Sequence, residues 1–145
     1  MNLFGMLNDS QRRGLSITLR NVEESLEHIG RILKNDGYSG VLYETRYDIT
    51  KEIRKEISNR IPLAIAEIEK IAEIFHFEVE IGWASNAAYS KLPYCWEILE
   101  NARAKRLKRY GDISKGLGEE LDPHLDAIIK ILLEMERILL TIRKL

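Results

Sequence analysis

Residues 125–145, LDAIIKILLEMERILLTIRKL, constrain the fold more than any other stretch of the chain. Placed on a helix at 100° per residue, their apolar side chains cover about two thirds of the circumference. Leu125, Ile128, Leu132, Met135, Leu139 and Ile142 form a central seam. Ile131, Ile138 and Leu145 widen it on one flank, and Ile129, Leu133 and Leu140 on the other. Asp126, Lys130, Glu134, Arg137, Thr141 and Lys144 make up the wet strip. A helix with a single partner buries a narrower stripe, so this one requires cover from several directions.

Three more helices are expected ahead of it. Asp9 or Ser10 caps the first, which runs to about Asn35 and stops at Gly37. Its Leu15, Leu19, Val22, Leu26, Ile29 and Leu33 follow a heptad spacing, which asks for helix packing at about 20°. Leu3, Phe4, Met6 and Leu7 precede it, either folded back on the bundle end or against another chain. The second helix is expected over residues 44–77. Its apolar phase survives Pro62, which indicates one continuous, kinked helix with the proline on the polar side. A third begins between Ser85 and Leu92 and continues through Trp96, Leu99 and Leu107 to Tyr110, where Gly111 ends it. Residues 112–121 form a loop, and Asp122 followed by Pro123 starts the fourth helix as cap and first position. The expected fold is all-α: an antiparallel up-down-up-down four-helix bundle in one domain, 1–145.

The bulk properties narrow the function classes. A net charge of −1 gives no global field to attract nucleic acid or an anionic membrane. The one cysteine, Cys95, has no intrachain partner for a disulfide, which fits a reducing cytoplasm. No stretch reaches the roughly 18 uninterrupted apolar residues of a membrane span. Abundant Ile, Glu, Lys and Arg, with Gln11 as the only glutamine, lean toward a thermophilic source.

Several motifs bear on chemistry. Glu23-Glu24-Ser25-Leu26-Glu27 has an E-E-x-x-E spacing, which lets carboxylates on one helix face share a hard cation. It resembles the first half of the magnesium site of all-α nucleotide pyrophosphohydrolases of the MazG type. That site needs an E-x-x-D on the next helix, and Glu44 to Asp48 is one residue too long. The residues therefore read as a solvated acidic face. Glu73 and His76 form an E-x-x-H, the spacing of ferritin-like di-iron bundles, but no second copy accompanies them. Arg103, Lys105, Arg106, Lys108 and Arg109 crowd the expected end of helix three, where cations complement the helix dipole. Trp83, Tyr89, Tyr94 and Trp96 read as a plug for one end of the bundle.

The inward polar candidates are Arg103, Arg106 and Glu136. Arg103 and Glu136 are expected to meet across antiparallel helices as a buried pair, since a lone buried charge is costly. No catalytic, cofactor-binding or metal-ligating set is complete. The expected function is that of a non-enzymatic cytoplasmic helical protein acting through protein contacts, as a homodimer or adaptor. Its interface would be formed by Ile131, Ile138 and Leu145. A bundle enzyme binding a small anion, nucleotide or metal through inward polar residues is the alternative. Neither membrane nor nucleic acid is expected as a partner.

Overall fold

The computed structural model describes the backbone of residues 3–142 and the side chains from Gly5 to Ile142. Among these residues it contains five α-helices and no strand: α1 Asp9–Leu33, α2 Lys51–Phe75, α3 Ala84–Glu100, α4 Ala104–Leu107 and α5 Leu117–Ile142. Short 3-10 turns cover Leu3–Met6 and Lys108–Tyr110. The chain divides into two compact units, Met1–Val79 and Glu80–Leu145.

In the first unit α1 and α2 form an antiparallel pair. Arg12 meets His76 near one end, while Gly30 approaches Ile61 and Asn35 meets Arg54 toward the other. The α1 cap is Asn8, one residue earlier than expected. Its side chain accepts from the Gln11 N–H at 2.8 Å, while Gln11 Oε1 accepts from the Asn8 N–H at 2.9 Å. That reciprocal box satisfies two N–H groups the helix cannot bond itself. The stop is Asn35, in the left-handed conformation at φ 62°, and not Gly37. The 3-10 turn Leu3–Met6 lies against α2, so the N-terminal segment folds back within its own unit.

Helix α2 starts at Lys51, later than the expected 44, because the residues before it are held in an ordered turn. The Gly37 N–H donates to Tyr47 Oη at 2.8 Å, the Thr45 N–H to Ser39 Oγ at 3.0 Å, and the Gly40 N–H to the Tyr43 carbonyl at 2.8 Å. Tyr38 and Tyr43 stack with ring centroids 5.7 Å apart. Thr50 then caps the helix. Pro62 lies inside α2 on its exposed side, four residues after the exposed Ser58 whose carbonyl it cannot bond, and the helix runs through it. His76, left-handed at φ 55°, ends α2.

In the second unit α3 and α5 run antiparallel, with Trp96 level with Glu136 and Arg103 level with Asp126. Two boundaries differ from the sequence reading. The third helix does not continue to Tyr110: it stops at Glu100, turns over Asn101, Ala102 and Arg103, and resumes as the short α4. The last helix starts at Leu117, not at Asp122, so Pro123 is inside it. Asp122 still caps a helix, but a neighbouring one. Its Oδ1 accepts from the Ala104 N–H at 3.0 Å, at the start of α4. This fixes Ala104 beside Gly118, and Ala104 is buried with Leu92 and Leu125.

Candidate functional site

The three inward polar candidates go to different places. Arg103 sits in the break before α4, with extended ψ 151°, and not on a helix face. Its Nε donates to Glu100 Oε2 at 2.8 Å and its Nη2 to Glu100 Oε1 at 3.0 Å, a bidentate fork. The same Nη2 donates to Asp126 Oδ1. The hydrogen bond from Arg103 holds the Glu100 carboxyl below the usual carboxylate range; partial burial opposes this, and the charges of Arg103, Lys105 and Arg106 add to it. The bonds to Glu100 and then Asp126 push Arg103 above even its ordinary high value. Arg103 is therefore a fixed clamp on the turn. The two carboxylates already neutralise the charge an incoming anion would need.

Arg106 is exposed on α4. Glu136 is half-buried on α5 and accepts from Trp96 Nε1 at 3.1 Å. The expected Arg103–Glu136 pair is not made, and the register of α3 on α5 explains why. Asp126, not Glu136, is level with Arg103, and the two acids lie about 15 Å apart along a helix rising 1.5 Å per residue.

The aromatic cluster is split. Tyr89 and Trp96 are half-buried, whereas Trp83 and Tyr94 are exposed, so the four do not form one buried group. Glu23, Glu24 and Glu27 lie exposed on α1, and Glu27 pairs with Arg31 at 3.1 Å. Glu73 and His76 border an open groove of about 800 Å³ at the end of α2, with Ala66, Ala72 and Phe77. There the His76 carbonyl accepts from Arg12 Nη2 at 3.3 Å, and the Arg12 guanidinium lies 5.0 Å over the Phe77 ring. Among the described residues, no group of three or more His, Cys, Asp or Glu gathers where it could hold a metal ion. No helix among them is long and apolar enough to cross a membrane.

The apolar candidates are laid out differently. Ile131 and Ile138 are 55% and 66% exposed, and Leu145 lies outside the described residues. Ile128, Met135 and Ile142 share their flank of α5 and are exposed too. The core-facing side of α5 is carried instead by Leu125, Leu132 and Leu139. Five large apolar side chains thus form an open strip along four turns of one helix.

One exposed feature escaped the sequence reading. Val41 and Leu42, at the tip of the ordered turn, are 98% and 94% exposed. The available signal was Ser39-Gly40 between two tyrosines, which marks a tight turn with apolar residues at its tip.

No family model matches the chain, and neither a curated protein nor a solved structure matches it.

Proposed function

We propose that this chain works by protein–protein contact, as a non-enzymatic homo-oligomer assembled through the open flank of α5. The observation that carries the reading is the surface left uncovered. The chain exposes 12180 Å². A compact chain of 16.8 kDa would expose about 7700 Å². Even two units of these sizes folded apart from one another would expose only about 9200 Å². The excess, roughly 3000 Å² per copy, is as large as the share each subunit contributes to a large obligate interface. Only Leu33, Leu92, Ala104 and Leu125 are buried among the described hydrophobic residues.

One continuous apolar part of this surface is the α5 strip, where Ile128, Ile131, Met135, Ile138 and Ile142 are exposed along one flank. Completing the burial of its five half-exposed side chains is worth about 1 kcal/mol each, or roughly 10 kcal/mol for a pair of strips. Association costs on the order of 4–15 kcal/mol, so the strip sustains a dimer when flanking surface is buried with it. On this reading, the four-helix arrangement that the heptad seams call for is completed between copies, with α3 and α5 from each. The lone, half-buried Cys95 fits a cytoplasmic setting.

The test is replacement of both Ile131 and Ile138 by Glu, read by size-exclusion chromatography with light scattering and by circular dichroism. The reading expects a folded monomer or an unfolded chain. A folded oligomer of undiminished mass would overturn it.

A further inference from the structure

We infer that Asp36-Gly37 is a latent site of succinimide formation, and that the Tyr47 hydroxyl suppresses the reaction by holding the Gly37 amide. All the residues involved lie within 31–47, in the first unit.

An aspartate closes on its own backbone most readily when glycine follows it. Glycine has no side chain to shield the nitrogen, and its backbone turns freely. The Asp-Gly pair occurs once in this chain, at Asp36-Gly37. The turn requires the glycine: a methyl group there would lie 3.0 Å from Thr45 Cγ2 and 3.2 Å from Tyr47 Oη. Asp36 is exposed, so water reaches its carboxyl group.

The reaction needs the Gly37 nitrogen. That nitrogen gives up its proton and attacks Cγ of the protonated Asp36 carboxyl. A C–N bond forms, a C–O bond breaks, and the hydroxyl leaves with the amide proton as water. Water then opens the five-membered ring at either carbonyl. Opening at Cγ restores aspartate. Opening at the Asp36 backbone carbonyl leaves isoaspartate, with the main chain running through Cγ and longer by one methylene.

The fold opposes the first step from both sides. The Gly37 N–H donates to Tyr47 Oη at 2.8 Å, which keeps the proton on the nitrogen and fixes its direction. The Asp36 N–H donates to the Arg31 carbonyl at 2.9 Å, and Asn35 closes α1 in the left-handed conformation. The peptide group between Asp36 and Gly37 is thus pinned, and the nitrogen reaches Cγ only when the turn opens. An added methylene at position 36 would shift Gly37 away from Tyr47 and undo the turn that presents Val41 and Leu42.

The native chain, Tyr47→Phe and Thr45→Val are incubated at neutral pH, and isoaspartate at position 36 is followed by peptide mapping with mass spectrometry. The native chain in urea gives the unprotected rate, and circular dichroism checks that the variants fold. The rate follows the population of the opened turn. Loss of one hydrogen bond in Tyr47→Phe should raise it about fivefold. Thr45→Val loses the hydroxyl that donates to the Tyr38 carbonyl but keeps the bond between Gly37 and Tyr47, so it should form isoaspartate more slowly than Tyr47→Phe. A Tyr47→Phe rate equal to the native one would overturn the inference, as would equal acceleration by both variants. If Tyr47→Phe does not fold, the native chain decides: a rate well below that in urea supports the inference, and an equal rate overturns it.

Discussion

Asp122 Oδ1 accepts a 3.0 Å hydrogen bond from the backbone N–H of Ala104, so a residue inside α5 caps the neighbouring α4. The bond satisfies an N–H that the four-residue helix has no carbonyl to meet. Asp122→Ala is expected to destabilise the protein by about 1 kcal/mol, as loss of a helix cap does. Asp122→Asn keeps an acceptor and should cost less. Thermal unfolding followed by circular dichroism orders the two variants against the native chain.

The Trp96 indole N–H and the Glu136 carboxylate depend on each other inside the second unit. Trp96→Phe leaves a half-buried carboxylate without this donor, at a cost of about 1–3 kcal/mol. Adding Glu136→Leu removes the stranded group and should recover part of that loss. Urea unfolding of the native chain, both single variants and the double variant gives the coupling; strict additivity would show that the pair does not interact.

The Arg103 clamp predicts a dependence on pH. In the folded chain the Glu100 pKa is lowered, chiefly by the Arg103 hydrogen bond. In the unfolded chain it returns to an ordinary glutamate value near ~4.3. The stabilisation is fully present above that ordinary value and is lost as pH falls through the lowered, folded-state value. Glu100→Gln should therefore be less stable than the native chain at neutral pH. The gap should narrow as the pH drops into the acid range, and a gap independent of pH would count against the clamp.

Tyr47 Oη accepts from the Gly37 N–H at 2.8 Å, which ties together the ends of the turn that displays Val41 and Leu42. Tyr47→Phe should lower stability by about 1 kcal/mol and speed exchange of the Gly37 amide. A methyl group at position 37 would lie 3.0 Å from Thr45 Cγ2 and 3.2 Å from Tyr47 Oη. Gly37→Ala should accordingly loosen the same turn. Hydrogen exchange at Gly37 and Thr45 reports both variants.

The helices themselves were legible wherever apolar periodicity was long. The seam of α1 and the passage of α2 through Pro62 are examples, because periodicity records which face packs. Boundaries set by distant partners were not legible. Asp122 and Pro123 have the local chemistry of a helix start, yet Asp122 Oδ1 is engaged by Ala104 and the helix begins earlier. At the break, Arg103 bonds Asp126 as well as the local Glu100, and Asp126 lies far along the chain, beyond what local sequence shows. The same applies to Glu136: its inward direction followed from the helical wheel, but its partner followed from the register of α3 on α5. From sequence, Ile131 and Ile138 lie on a flank left without cover by the other helices, and both are exposed in the structure.

The most direct test of self-association is the mass of the native chain by sedimentation equilibrium from low to tens of micromolar concentration. The account predicts a mass approaching twice 16.8 kDa as concentration rises. A mass of 16.8 kDa across the whole range would contradict it.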